Sequence, residues 1–322
     1  MILPVVALIC GLALLVYSAD RFVDGAAATA HHAGMPLLLV GMVVIGFGTS
    51  APEMLISAIA SVQGNPGLAL GNAYGSNISN IALILGVTAL ISPIPVPAKI
   101  LRYELPVLVA ITLLTVVLLW NLSISRLNAI VLLLAFAAVI VWWVIIALRH
   151  KNTDKLLAAS EHGDEAFLPL KPAIFWLIVG LVLLVASSRM LVWGAVEIAT
   201  ALGVSDLMIG LTIVAIGTSL PELAAAVAAA RKKAHDLVLG NIIGSNIFNT
   251  LAVVGIAGVI HPLDIGGEIL YRDCLVMGLL TCCLFGAAWR GRYRLSRLFG
   301  SMLVLSYMVY LGLLGFQILG YL

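Results

Sequence analysis

The sequence predicts an all-α polytopic membrane protein with ten transmembrane helices, arranged as two inverted five-helix repeats. Three observations predict it: a composition too apolar for a water-facing surface, a one-sided distribution of basic residues, and a polar motif duplicated at a fixed spacing. Of 322 residues, 62% are hydrophobic and 10% charged, whereas soluble chains run at about 45–50% apolar and about 25% charged. Lipid must therefore cover most of the surface. The formal net charge of +2 supplies no basic field for nucleic acid. Cys10, Cys274, Cys282 and Cys283 sit in apolar runs without C-x-x-C spacing, which argues against a disulfide framework or a zinc site.

A spanning helix needs about 20 mainly apolar residues. Charged and Pro-containing interruptions divide the chain into ten such stretches, near 2–17, 37–62, 68–92, 104–120, 127–148, 172–190, 206–231, 236–260, 271–289 and 296–319. The first lacks a basic leading region and reads as a retained span, not a signal peptide. Ten spans place alternate connections on opposite sides. Fourteen of the 17 Lys and Arg then fall on one side, among them Arg149, Lys151, Lys155 and Lys171 and the run Arg231-Lys232-Lys233. The other side and its span ends hold Arg126, Arg189 and Arg272. Basic connections stay in the cytoplasm, so both termini are expected outside it. The long polar connection 149–171 reads as a cytoplasmic linker between a first repeat, 1–148, and a second, 172–322.

Sliding the sequence by 169 residues aligns 41–91 with 210–260 without a gap, with 18 of 51 positions identical. The matches concentrate on polar and small residues, where duplicated lipid-facing helices would be expected to share Leu and Val. Gly48-Thr49-Ser50, Pro52-Glu53 and Gly71-Asn72 recur as Gly217-Thr218-Ser219, Pro221-Glu222 and Gly240-Asn241. Gly75-Ser76-Asn77-Ile78 and Asn80 recur as Gly244-Ser245-Asn246-Ile247 and Asn249. Because five spans is an odd number, the second copy enters the membrane from the opposite side. Such inverted repeats form ion or substrate sites at their interface near the midplane.

Glu53 and Glu222 are the acids farthest from any span end. Each costs about 2.5–3.5 kcal/mol on insertion scales, and no Lys or Arg shares their apolar cores. A bound cation is the simplest counter-charge, and two carboxylates match one divalent ion. Pro52 and Pro221 release the carbonyls of Gly48 and Gly217 four residues back, and such irregular backbone must face protein or a watery cavity. Thr49 and Thr218 lie four residues before each Glu, on the same helical face. In the following span Asn72, Ser76 and Asn80, matched by Asn241, Ser245 and Asn249, form a polar stripe. Asn80 and Asn249 are expected to line the site with amide oxygens, the flanking glycines to serve helix packing, and Asn77 and Asn246 to bond backbone. Oxygen-only donors favour hard cations. Calcium, with six to eight flexible oxygens, fits better than octahedral magnesium, and sodium would share the same donors. No Walker lysine, G-x-S-x-G or Ser/His/Asp set is present, so an enzyme is not indicated.

Gly48 to Glu53 with Gly71 to Asn80, repeated as Gly217 to Glu222 with Gly240 to Asn249, resembles the paired alpha-repeats of the cation/calcium antiporter superfamily, specifically its prokaryotic sodium/calcium exchangers of the bacterial YrbG-like type. The resemblance implies an inner-membrane protein exchanging Na+ for Ca2+ by alternating access, in which the first and sixth helices move against the rest. It implies calcium ligation by Glu53, Glu222, Thr49 and Thr218. It also implies sodium contacts at Ser50, Ser219, Ser76, Ser245, Asn80 and the Ala215 carbonyl, with Gly46 at the equivalent position of the first copy. Several members carry Asp where this chain has Asn249, so a third acid is missing. Gly75 and Gly244 stand where the proton-coupled branch has an acid, which favours sodium. The remaining alternatives are proton/calcium or other cation antiport on the same scaffold and, least favoured by inverted repeats, a passive channel. Small cations and the lipid bilayer are the expected partners, with no cofactor and no obligatory protein partner. A cysteine introduced at Asn152 is expected to react with impermeant thiol reagents from the cytoplasmic side alone; labelling from the opposite face would invert the topology.

Overall fold

The computed structural model describes residues 2–150, 167–203, 215–264, 267–291 and 294–318. The described residues are helical almost throughout. In order come α1 (Ile2–Ala33), α2 (Leu37–Thr49), α3 (Ala51–Val62), α4 (Gly67–Ile91), the two-residue β1 (Ile94–Pro95), α5 (Ile100–Leu118) and β2 (Ser123–Ile124). Next are α6 (Arg126–His150), α7 (Leu170–Ala201), α8 (Ala215–Thr218) and α9 (Leu220–Arg231). The chain continues through α10 (His235–Ile260), β3 (Leu263–Asp264), α11 (Ile269–Arg290), β4 (Arg294–Leu295) and α12 (Arg297–Ile318). Among the described residues, eight helices are long and apolar enough to cross a membrane, and the bent pair α2–α3 makes up to nine. The predicted span 206–231 falls partly outside the described residues, which cover only its end, α8 and α9.

Two spans differ from expectation in length. The stretches 2–17 and 172–190 belong to helices of 32 residues each, α1 and α7. At 1.5 Å per residue each is about 48 Å long, well beyond a hydrocarbon core of about 30 Å. Asp20, Arg21 and Asp24 do not end α1, because the two acids, one turn apart, meet a basic partner. Lys232 Nζ lies 2.6 Å from Asp24 Oδ1 and 2.9 Å from the Asp20 carbonyl.

The two long helices pack against each other in antiparallel fashion, and their contacts repeat at the 169-residue offset. Gly11 faces Leu191 and Gly180 faces Phe22; Gly25 faces Ala173 to Leu177 and Gly194 faces Pro4 to Leu8. A Cβ on Gly25 would stand 2.5 Å from the Leu177 nitrogen and 2.8 Å from the Ala173 carbonyl oxygen. Glycine is therefore required there for helix approach, the usual way membrane helices gain van der Waals contact.

The inner helices are α4 and α10. Burial covers 72% and 89% of their most apolar windows, against 17% for α6 and 22% for α7 and α12, which face lipid. Gly240 lets α10 lie on α2, since a Cβ there would come within 2.5 Å of the Leu38 carbonyl oxygen. The same offset relates π-helical turns at Ile100–Glu104 and Ile269–Cys274 and, one residue out of step, at Asn80–Leu85 and Phe248–Val253.

The short strands bridge the copies. Antiparallel β1–β4 sets Ile94 against Leu295, and β2–β3 sets Ile124 against Leu263. Each bridge joins two connections that the basic-residue count places on one side. Buried acids, which a reading by distance from span ends passes over, anchor the outer helices. Glu104 accepts a bond from Trp143 Nε1 (3.1 Å), and its offset equivalent Asp273 accepts one from the Tyr310 hydroxyl (3.0 Å) and pairs with Arg272. Gly25→Ala should lower the thermal unfolding midpoint in detergent by an amount matching about 1–3 kcal/mol of overpacking, whereas Gly312→Ala on the exposed face of α12 should leave it unchanged.

Candidate functional site

Both copies of the motif break their helix at the same residue. Ser50 adopts φ −84° and ψ 1°, and Ser219 φ −89° and ψ 5°, each just before a helix whose first turn holds the proline. The ring of Pro52 or Pro221 cannot continue the preceding hydrogen-bond ladder but suits a first turn. As a result α2 and α3 meet at a 44° bend. Thr49 reinforces the break: its hydroxyl is 3.0 Å from the Ile45 carbonyl, a back-bond that bends helices, and 3.3 Å from Asn241 Oδ1.

Glu53 and Glu222 thus fall in the first turns of α3 and α9, each at a helix N-terminus, where the dipole favours negative charge. Both are buried, at 0% and 2% exposure. The structure brings them together across the two copies. The Ser50 hydroxyl, three residues before Glu53 in the first copy, is 3.4 Å from Glu222 Oε1 of the second.

The polar stripe supports this pair in a symmetric way. Asn72 Nδ2 donates to the Glu53 backbone carbonyl at 3.1 Å and to Ser57 at 2.9 Å; Asn241 Nδ2 donates to the Glu222 backbone carbonyl at 3.2 Å. The stripe thereby pins the first turn that aims each carboxylate. Asn77 and Asn246 do not bond backbone as expected: Asn77 Nδ2 donates to Thr250 (2.8 Å), and Asn246 Oδ1 accepts from Asn80 Nδ2 (3.0 Å). The crossing of two inner helices puts a side chain closer than any free carbonyl, because helical carbonyls are already engaged.

The other predicted residues divide by what they touch. Ser76 and Ser245 are buried on α4 and α10, and the Ser245 hydroxyl is 3.5 Å from both the Gly46 carbonyl and Asn241 Oδ1. Ser219 is buried at the second break. Ala215 opens α8, and Thr218 lines a cavity with Gly217 and Pro221. The carbonyl that Pro221 frees, that of Gly217, is taken by the Ser188 hydroxyl of α7 at 3.0 Å. Ser188 escaped sequence reasoning because its offset position holds Ala19, so comparing the copies discards it.

Among the described residues, several buried acceptor oxygens have no hydrogen-bond partner: both carboxylate oxygens of Glu53, Glu222 Oε2, Asn77 Oδ1, Asn80 Oδ1 and Asn249 Oδ1. Leaving such groups unmet costs about 1–3 kcal/mol each and more for charged ones. A set dominated by acceptor oxygens and drawn from both copies suits one kind of guest, a hard cation. No cluster of three or more His, Cys, Asp and Glu occurs among the described residues, so the donors are two carboxylates and neutral oxygens.

Buried oxygens at membrane depth, between paired helix breaks, define a membrane transporter of cations. Comparison with known proteins makes this specific. The family described as sodium/calcium exchanger protein matches residues 3–145 and 172–316. The chain is 42% identical over 312 residues to the putative antiporter CaxA of Alkalimonas amylolytica, covering 96% of this chain and 98% of that one. It is 39% identical over 322 residues to the inner membrane protein YrbG of Escherichia coli, covering 98% and 97%. A solved structure of the sodium-calcium exchanger NCX_Mj, soaked with Na+ and Sr2+, superposes with a TM-score of 0.83 at 32% identity, covering 97% of this chain and 98% of that one. The chain belongs to the sodium/calcium exchanger family of membrane antiporters.

Glu53→Gln and Glu222→Gln each remove one of the two charges with little change of shape. Each is expected to weaken equilibrium 45Ca2+ binding at least about tenfold, or about 1.4 kcal/mol, in protein that stays monodisperse in detergent.

Proposed function

We propose that this protein exchanges Na+ for Ca2+ across the membrane by alternating access, with both ions competing for the oxygens between Glu53 and Glu222. The carrying observation is one buried carboxylate from each copy, linked through Ser50, with no Lys or Arg ion-paired to either among the described residues. Thr49, Thr218, Ser50, Ser219, Ser76, Ser245, Asn80, Asn249, Gly46 and Ala215 supply the neutral oxygens in this reading. Two bidentate carboxylates with the two threonine oxygens supply six, the lower end of the six to eight that calcium takes. The family and the sodium- and strontium-soaked NCX_Mj structure support sodium as the counter-ion.

The scaffold in this reading is two inverted repeats of five spans, 1–148 and 172–322, joined by the cytoplasmic linker 149–171. The family's match to each half in turn, the antiparallel α1–α7 pair and the offset-related contacts support it. Both termini lie outside the cytoplasm of the inner membrane. Two facing carboxylates at low dielectric repel unless neutralised, so the protein changes access only when loaded. If three sodium ions exchange for one calcium, one charge crosses per cycle, worth about 2.3 kcal/mol per 100 mV.

The test is 45Ca2+ uptake into proteoliposomes under separately imposed gradients. An outward sodium gradient should drive uptake, and Glu53→Gln or Glu222→Gln should abolish it. Uptake driven by a proton gradient alone would establish proton coupling instead, and flux without any counter-ion would establish a channel.

A further inference from the structure

The two long helices do not treat the two helix breaks alike. α7 overlies both: a Cβ on Gly48 would stand 2.7 Å from Leu181 Cδ2, and one on Gly217 would run into Val192. Between those contacts Ser188 is 4% exposed, and its hydroxyl donates at 3.0 Å to the Gly217 carbonyl, which Pro221 releases from the helix ladder. The flanks are unequal too. α1 packs along α9, where Ala225 is buried and Lys232 meets Asp20 and Asp24. At the equivalent place a cavity of about 420 Å³ lies between α3 and α7, lined by Pro52 and Ile56 on one side and Val185 and Trp193 on the other. Ile56, the offset partner of Ala225, is only half-buried.

A chain of two inverted, related halves has a second arrangement open to it, in which each half takes the packing of the other. The 169-residue offset specifies it. α1 would overlie both breaks, with Leu12 on Gly217 and Val23 on Gly48; α7 would close on α3, and a gap would open between α1 and α9. The polar contacts do not survive this exchange. Ser188 corresponds to Ala19, which has no hydroxyl to offer Gly48, and Lys232, Asp20 and Asp24 correspond to Gln63, Arg189 and Trp193, which form no acid–base pair. Half-exposed ion pairs contribute little. The buried Ser188 hydrogen bond is therefore the larger difference between the arrangements.

We infer that Ser188 is a positioning residue for exchange: its hydroxyl holds α7 over the two breaks and makes the arrangement with α1 closed on α9 the resting one of the sodium-loaded carrier. The inference rests on the inverted-repeat antiport reading and adds to it which arrangement is favoured and by which side chain. A buried neutral hydrogen bond weights the two populations by about two- to tenfold. Each cycle breaks and remakes it.

The experiment is the rate at which a water-soluble methanethiosulfonate modifies Ala225→Cys and, separately, Ile56→Cys, in full-length protein in detergent and saturating NaCl, with the four native cysteines replaced by alanine. Ala225→Cys reports the gap between α1 and α9, and Ile56→Cys that between α3 and α7. Adding Ser188→Ala should speed labelling at Ala225→Cys by about two- to tenfold without speeding it at Ile56→Cys. Ser188→Thr, which keeps the hydroxyl, should leave both rates as they were. Ala19→Ser, which gives the first half the donor it lacks, should also speed labelling at Ala225→Cys, a result that loss of local packing around Ser188 does not produce. Equal acceleration at both cysteines would mean general loosening and overturn the proposal, as would an unchanged rate at Ala225→Cys in the Ser188→Ala variant. Failure of the antiport reading shows separately, as absence of sodium-driven 45Ca2+ uptake by wild type, which the labelling rates do not require.

Discussion

Two carboxylates, one buried in each copy of the motif and neither ion-paired with a basic side chain among the described residues, constrain everything else in this structure. A buried unpaired charge is too costly to retain without a compensating partner, and two that repel each other are costlier. The surrounding structure relieves part of that cost. Helix N-termini begin at both acids, a serine from one copy approaches the acid of the other, and asparagines hold the backbone of each first turn. Among the described residues, oxygens of Glu53, Glu222, Asn80 and Asn249 stay without a hydrogen-bond partner, a set that suits a hard cation.

The duplicated sequence explains how one chain builds such a site economically. Offset-related residues pack α1 against α7, break the motif helices at Ser50 and Ser219, and place Asn72 and Asn241 under the two glutamates. The copies also differ where identity would be harmful or useless. Ser188 caps a carbonyl that Ala19 cannot, and Arg189 and Asp20 give equivalent positions opposite charge. Offset-related residues build the common frame around the two glutamates; where the copies differ, the hydrogen bonds and charges of the two halves differ.

Much of this was legible beforehand, for identifiable reasons. Intramembrane acids are rare because they are expensive, so Glu53 and Glu222 stood out, and the prolines beside them announced the breaks. The lengths of α1 and α7 were not legible. Asp20 and Asp24 look like the end of a span until Lys232, more than 200 residues away, is seen against them. The π-helical turns at Asn80 and Phe248 have no proline to mark them, and Glu104 and Asp273 were hidden by their position near span starts. Asn77 and Asn246 were misjudged because the choice between backbone and side-chain partners depends on how α4 crosses α10.

The sequence by itself determined the solvent, the duplication, the family and the identity of the charged groups, because composition, periodicity and the cost of ionised side chains in lipid are properties of local stretches. Only the tertiary structure decided which oxygens share one space, which carbonyls are already satisfied and which charges remain unpaired. Those depend on contacts between segments far apart in the chain, where a shift of a few ångströms separates a ligand from a helix cap.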